Sequence, residues 1–456
     1  MKQHACADNV IATSGECKKN HNLSSEVIDQ LIAQQRFGYS MEQAFYTNEA
    51  IFERDVEHII SRLWMVTDHV SRIPNVGDYF LFKVAGESII IVRGEDNQIY
   101  AHYNVCRHRG CNLKNVETQC EGNSKSFVCP YHAWRFDLNG NLNHARQMPD
   151  DFDKSQHALH PCQVRVFEGM IFINLSTTNV PDFDEMAQRI KPYIAKHQLA
   201  TAKIAHQERY HLNANWKSVL ENYLECYHCA PAHPEYCSVQ VKTDMTSHGA
   251  PEKAEAYLSY LQTWNEKANR LGNANGGFTF KLPLNENFFN SQFHAAHREP
   301  LKEGFVSGTQ DGIAAAPLMG EYAQQAENDG AETNWGIGPF SYMISYNDHA
   351  VIVSFIPHAV ERSEMVMTWL VNSKAQENKD YDLKKMIWLW TVTTEQDKFI
   401  IENNANGIRS QRYQSGTYSK LEKDVVSFVK WYLAMIGGDK QLKRLPESNN
   451  SRYVGI

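Results

Sequence analysis

The chain has 456 residues, 42% of them hydrophobic and 21% charged, an ordinary globular balance with enough length for two cores. A net charge of -8 leaves no basic excess to neutralise phosphates, which argues against nucleic acid as a partner. Apolar runs fall well short of the roughly 18 residues a membrane helix needs, so no membrane span is expected.

The first residues lack the apolar run of a secretory signal, and a cytoplasmic protein is expected. Residues 1–40 are polar and loosely specified. Over Ala50–Trp64, Ile51, Val56, Ile59, Ile60 and Leu63 trace one apolar helical face. From Gly77 the texture becomes short runs broken by Gly, Asp and Asn, which predicts a small all-β domain over 76–176. Beyond Pro181, helices are expected over Asn215–Tyr227, Glu252–Leu271 and Asp382–Asn403. Strands are expected at Ser341–Ile356 and Ser363–Val371, and a surface loop at Gly272–Gly277. The fold class that follows is α+β, an N-terminal all-β domain followed by helices on an antiparallel sheet. The divisions are 1–60 (a tail and helices packing on the C-terminal domain), 61–177 and 178–456. No repeat or low-complexity tract interrupts them.

Ten cysteines are present, and in a long chain without a secretory signal they are expected as metal ligands or buried thiols rather than disulfides. Cys106-Arg-His108 and Cys129-Pro-Tyr-His132 bring two thiolates and two imidazoles as two short pairs. That set suits a Rieske [2Fe–2S] cluster, with two Cys on one iron and two His on the other, and it also suits zinc. Cys111 and Cys120, between the pairs, are expected to be ordinary residues.

A second constellation runs from Asn215 to His233 and contains Glu221, Asn222, Glu225, His228 and His233. On a helix, Glu221, Glu225 and His228 share a face, and Pro231 then turns the chain so that His233 returns towards His228. Two imidazoles and one distant carboxylate make the facial triad of non-haem iron oxygenases; helix-end histidines with satisfied hydrogen bonds are the plainer alternative. Phe288, Phe289, Phe293, Trp335, Phe340, Tyr342 and Tyr346 are conspicuous in the second domain, as pocket walls or as core.

Residues 106–110 (CRHRG) and 129–134 (CPYHAW) resemble the two cluster-binding loops of the Rieske non-haem iron oxygenase family. Residues 215–233 resemble that family's mononuclear iron segment, and the stretch around WLWTVTTEQDKFIIEN resembles its C-terminal part. The resemblance implies an N-terminal Rieske [2Fe–2S] domain bound by Cys106, His108, Cys129 and His132, and a catalytic domain holding Fe(II) through His228, His233 and Asp397. Glu402 is in register with Asp397, and Glu395 and Asp382 are the fallback carboxylates. It further implies a homotrimer, with or without a small β subunit, in which Glu225 links His132 of one subunit to His228 of the next and Asn222 tunes that path. Many ring-hydroxylating members carry Asp where this chain has Glu225. The Glu-Cys-Tyr-His version is similar to the subgroup acting on glycine betaine and carnitine. No GxGxxG or GxxxxGK[ST] motif is present, so a separate NAD(P)H reductase, with or without a ferredoxin, is expected to supply electrons. The expected reaction uses O2 to demethylate a quaternary ammonium or betaine-like compound. An aromatic ring-hydroxylating large subunit is the alternative within enzymes, and a Rieske electron carrier or a zinc-stapled binding protein the alternative outside them.

Overall fold

A computed structural model of the chain describes residues 23–240, 251–278 and 292–437. The N-terminal β region begins with β1 (Met65–His69), then β2 (Asp78–Val84) and β3 (Glu87–Arg93). Ala85 and Gly86 join the last two with φ of 48° and 85°, the paired positive values of a tight hairpin turn whose twist matches its strands. β4 (Ile99–Tyr103) and β5 (Glu121–Asn123) complete a sheet of order β4-β3-β2-β5. β6 (Phe127–Val128), β7 (Arg135–Phe136) and β8 (Leu142–His144) form a second, three-stranded sheet. β9 (Gln163–Phe167) and β10 (Met170–Asn174) pair in the order β1-β10-β9, so the chain enters and leaves this region on neighbouring strands. Tyr79, Ile90, Val92, Phe127, Trp134 and Phe136 share one core with Cys106 and Cys129.

The second region is a seven-stranded antiparallel sheet. Its strands are β11 (Ala202–Leu212), β12 (Gly276–Phe278), β13 (His294–Pro300), β14 (Ala331–Ile337), β15 (Ser341–Tyr346), β16 (His349–Ala359) and β17 (Arg362–Asn372), in the order β11-β17-β16-β15-β14-β13-β12. One face, with Val351, Val353, Met365, Met367 and Trp369, packs on Met386, Leu389 and Trp390 of the helix Leu383–Ile408. The other, with Trp335, Met343, Ile352 and Leu370, packs on the helix Phe183–Ile194. Covered on both faces, β16 and β17 lose the apolar–polar alternation of a half-exposed strand.

A buried polar knot fixes the segment that carries the second constellation. Asp55 accepts hydrogen bonds from Lys217 Nζ, from Trp216 Nε1 at 3.0 Å and from Tyr432 of the helix Lys423–Gly437 at 2.8 Å. Burial raises the Asp55 carboxyl and lowers the Lys217 ammonium, and their pairing opposes both shifts. Asn215 caps the following helix by accepting from Lys217 N at 3.0 Å. That helix is Trp216–Tyr223, shorter than the expected Asn215–Tyr227. The Glu225 carboxylate accepts from the backbone N–H of Tyr227 and, at 3.2 Å, of His228, which turns the chain out of the helix. Glu225 is therefore in a turn, not on the helical face expected for it. Gly276–Phe278 is an edge strand rather than loop, and among the described residues no helix is long and apolar enough to cross a membrane.

Candidate metal centres

The two Cys–His pairs sit on loops of the same backbone design. Cys106 N donates to Cys111 O at 2.8 Å, and Cys129 N donates to Trp134 O at 2.8 Å. Gly110 N returns to Cys106 O, and Ala133 N returns to Cys129 O, each at 3.0 Å. The residue four past each cysteine is left-handed, Gly110 at φ 76° and Ala133 at φ 61°. The loops face one another, and the two thiols lie within hydrogen-bonding reach. His108 Nδ1 and His132 Nδ1 are 3.2 Å apart. Both cysteines are 2% exposed, whereas His108 is exposed and His132 half-buried. Trp134 stacks on His108, with ring centroids 4.8 Å apart and planes 13° from parallel. Two buried sulfurs beneath two converging ring nitrogens fit a cluster with one inner and one outer iron. Cys111 also reaches Cys129 but falls outside the matched pairs. Cys120 is disulfide-bonded, against the expectation of no disulfide, and so is not open to a metal.

The second centre joins distant parts of the chain. The ligand atoms of His228, His233 and Asp397 all lie within 4.8 Å of one another. Asp397 Oδ1 is 3.0 Å from His233 Nε2 and 3.5 Å from His228 Nε2. Each imidazole is held from behind, His228 Nδ1 by Glu225 Oε1 at 2.5 Å and His233 Nδ1 by Gln396 Oε1 at 2.8 Å. Gln396 Nε2 in turn donates to Glu235 at 2.8 Å. Two imidazoles presenting Nε2 to one carboxylate, each with Nδ1 tied, fit a divalent metal. Burial pulls His228 down, yet hydrogen bonds to Asp397 and Glu225 outweigh it and leave His228 raised to about 10. Burial likewise raises Asp397, and the two imidazoles reverse this to leave it lowered. A metal ion held by these three residues would take the place of the shared proton.

Asn222 Nδ2 lies 3.4 Å from His228 Nε2. Glu221 is not in this group; Tyr46 OH donates to it at 2.9 Å, and burial pushes it up to about 8. The other candidate carboxylates lie outside this group. Asp382 caps its helix by accepting from Lys385 N, Glu402 accepts from Asn213, and Glu395 is exposed. Of the seven aromatic residues, Phe293 packs on Trp431, Phe340 on Trp216 and Trp335 on Phe167, all core contacts. Tyr342 and Tyr346 lie on the metal side of the sheet, and Phe288 and Phe289 lie outside the described residues. Sequence reasoning missed Gln396 and Glu235; a residue adjacent to a ligand on a helix leaves no periodic signal.

Glu225, Asn222 and His228 edge a surface cleft of about 420 Å³. His108 and Tyr131 are exposed, and the half-buried His132 ring lies 4.7 Å from His108 and 4.0 Å from Tyr131.

Residues 63–168 match the Rieske [2Fe-2S] domain family, and residues 199–438 match the family described as ring hydroxylating alpha subunit (catalytic domain). A glycine betaine monooxygenase oxygenase subunit of Chromohalobacter salexigens is 32% identical over 431 residues, covering 93% of this chain and 91% of that one. A carnitine monooxygenase oxygenase subunit of Escherichia coli K12 is 37% identical over 227 residues, covering 48% of this chain and 60% of that one. A solved quaternary ammonium Rieske monooxygenase superposes with a TM-score of 0.64 at 21% identity, covering 91% of this chain and 99% of that one, a likeness of fold.

Proposed function

Because the chain belongs to the Rieske non-haem iron oxygenase alpha subunits, whose two domains hold a [2Fe–2S] cluster and a mononuclear iron, we propose that it is the oxygenase component that hydroxylates an N-methyl group of a quaternary ammonium or betaine-like compound. The observation that carries this reading is the meeting of His228, His233 and Asp397 in a chain related along 93% of its length to a glycine betaine monooxygenase subunit. Cys106, His108, Cys129 and His132 are the proposed cluster ligands, and His228, His233 and Asp397 the proposed iron ligands. The boundaries at 60 and 177 separate an N-terminal tail, a Rieske domain and a catalytic domain.

When bound, the cluster and the iron supply the electrons and the open coordination positions that dioxygen reduction needs. The protein's part is positioning. Glu225 and Gln396 fix the two imidazoles in the tautomer that leaves Nε2 free for metal. Asn222 places its amide beside His228 Nε2, at the edge of that site. In balance, dioxygen, two electrons and two protons turn one N-methyl C–H into N–CH2OH plus water. The carbinol then separates into tertiary amine, formaldehyde and a proton. The electrons come from a separate NAD(P)H reductase, with or without a ferredoxin. The exposed His108 with its neighbour His132, and the cleft at Glu225, suit contact between copies, in a homotrimer where Glu225 links His132 of one subunit to His228 of the next.

The test is oxygen uptake and formaldehyde release with a surrogate reductase on glycine betaine, carnitine and benzoate. The two betaines are expected to drive both signals. Uptake with benzoate and none with either betaine overturns the substrate reading.

A further inference from the structure

Seven of the described cysteines are thiols, and Cys226 alone among them is exposed. Cys229, three residues on, is 4% exposed. The chain between them is a turn: Cys229 N donates to Cys226 O at 3.3 Å, and the short helix Cys229–Ala232 follows. A four-residue turn brings its first and last Cα atoms within about 7 Å, and a disulfide spans about 4.4–6.8 Å between Cα atoms. The side chains converge as the backbone does, since the two thiols lie within hydrogen-bonding reach. A bond between them therefore asks for side-chain rotation rather than a new course of the backbone.

The residues enclosed by this pair are Tyr227 and His228, and Glu225 already holds both of their backbone N–H groups. Cys229 lies within electrostatic reach of Asp397, and Cys226 within reach of Tyr236 and Tyr342. The Tyr236 ring is 6.5 Å from that of His233, so the two thiols border the proposed iron ligands. A third thiol, Cys237 of the helix Pro234–Val239, has Sγ 3.6 Å from Cys229 O and is the competing partner. Dioxygen that takes two electrons and two protons while no C–H bond is oxidised leaves as hydrogen peroxide. An exposed thiol beside a dioxygen-reducing site is the one that peroxide reaches, and alone it is carried on to sulfinic acid. A second thiol within reach stops that course at the disulfide.

We propose that Cys226 and Cys229 are an oxidation site for hydrogen peroxide, a dithiol that closes into a reversible disulfide spanning His228. In the first step an S–O bond forms at Cys226 and the peroxide O–O bond breaks. The other oxygen leaves as water with the thiol proton, and Cys226 becomes a sulfenic acid. In the second the Cys229 sulfur displaces the hydroxyl, the S–S bond forms and a second water leaves with the Cys229 proton. Two thiols and one peroxide thus give one disulfide and two waters, a two-electron oxidation of sulfur against a two-electron reduction of peroxide. This holds whichever substrate the enzyme takes.

The holoenzyme treated with equimolar hydrogen peroxide, then with a thiol-blocking reagent, tests the proposal by the mass of the peptide holding residues 226–229. That peptide is expected about 2 Da lighter with neither cysteine blocked, and dithiothreitol is expected to restore two thiols. In Cys229→Ser, excess peroxide is expected to leave Cys226 about 32 Da heavier, as a sulfinic acid that dithiothreitol does not reverse. In Cys226→Ser, Cys229 is expected to stay a thiol. Iron content and the visible spectrum report that each variant is folded. Phenylarsine oxide, which binds two thiols at once, needs no variant: untreated wild type is expected to hold one arsenical on this peptide. Sulfinic acid at Cys226 of wild type while Cys229 stays a thiol, a bond between Cys229 and Cys237, no oxidation at either cysteine, or no arsenical on the peptide overturns the proposal.

Discussion

Cys106, His108, Cys129 and His132 come from two loops of one small β region, each loop closed by its own backbone hydrogen bonds. His228, His233 and Asp397 come from a turn and from a helix 164 residues further on, and they meet only because the sheet and the Asp55 knot hold those elements in place. The first centre is organised locally and presents its histidines outward. The second depends on tertiary packing and keeps His233 and Asp397 buried. A locally built site should tolerate distant change, whereas an assembled one should register every loosened support.

The sharpest separation comes from removing ligands. His228→Ala or Asp397→Ala is expected to bring turnover to background and remove the mononuclear iron, while the visible spectrum of the cluster remains. His108→Ala is expected to bleach that spectrum. Bleaching by His228→Ala instead breaks the partition between the two centres. Next in size, Glu225→Gln is expected to keep both metals and to slow electron transfer about tenfold to a hundredfold, because the carboxylate that holds His228 Nδ1 loses its charge. Stopped-flow reoxidation of the reduced cluster measures this, and an unchanged rate removes Glu225 from the path. Gln396→Leu is expected to loosen iron by about tenfold, read by chelator competition, with the cluster untouched. The smallest effect is Ala133→Gly. The left-handed backbone at φ 61° suits glycine, as at Gly110 in the matching loop, and about 0.5 kcal/mol of added stability should appear in thermal bleaching.

The same contrast explains what the sequence made legible. The two Cys–His loops could be read whole, because pairs at short spacing carry their geometry with them. The proposed iron ligands were named through resemblance; nothing local to Asp397 distinguishes it from Glu395 or Glu402. The helix at 216 ends four residues before its expected end at Tyr227, since the Glu225 carboxylate takes backbone N–H groups that a longer helix needs. β13 (HAAHREP) and β14 (AETNWGI) escaped notice because their charged and polar residues, Glu299 and Glu332 among them, are not strand-forming types. Phe293, Phe340 and Trp335 were open to either reading, pocket wall or core, because composition cannot say which side of a sheet or helix an aromatic faces; the structure puts all three in the core.

Iron and acid-labile sulfide counted on purified wild type and on Asp397→Ala test the two-centre account most directly. The account predicts about three irons and about two sulfides per chain in wild type, and the loss of about one iron with no loss of sulfide in the variant. Zinc without sulfide in wild type, or sulfide lost together with iron in the variant, contradicts it.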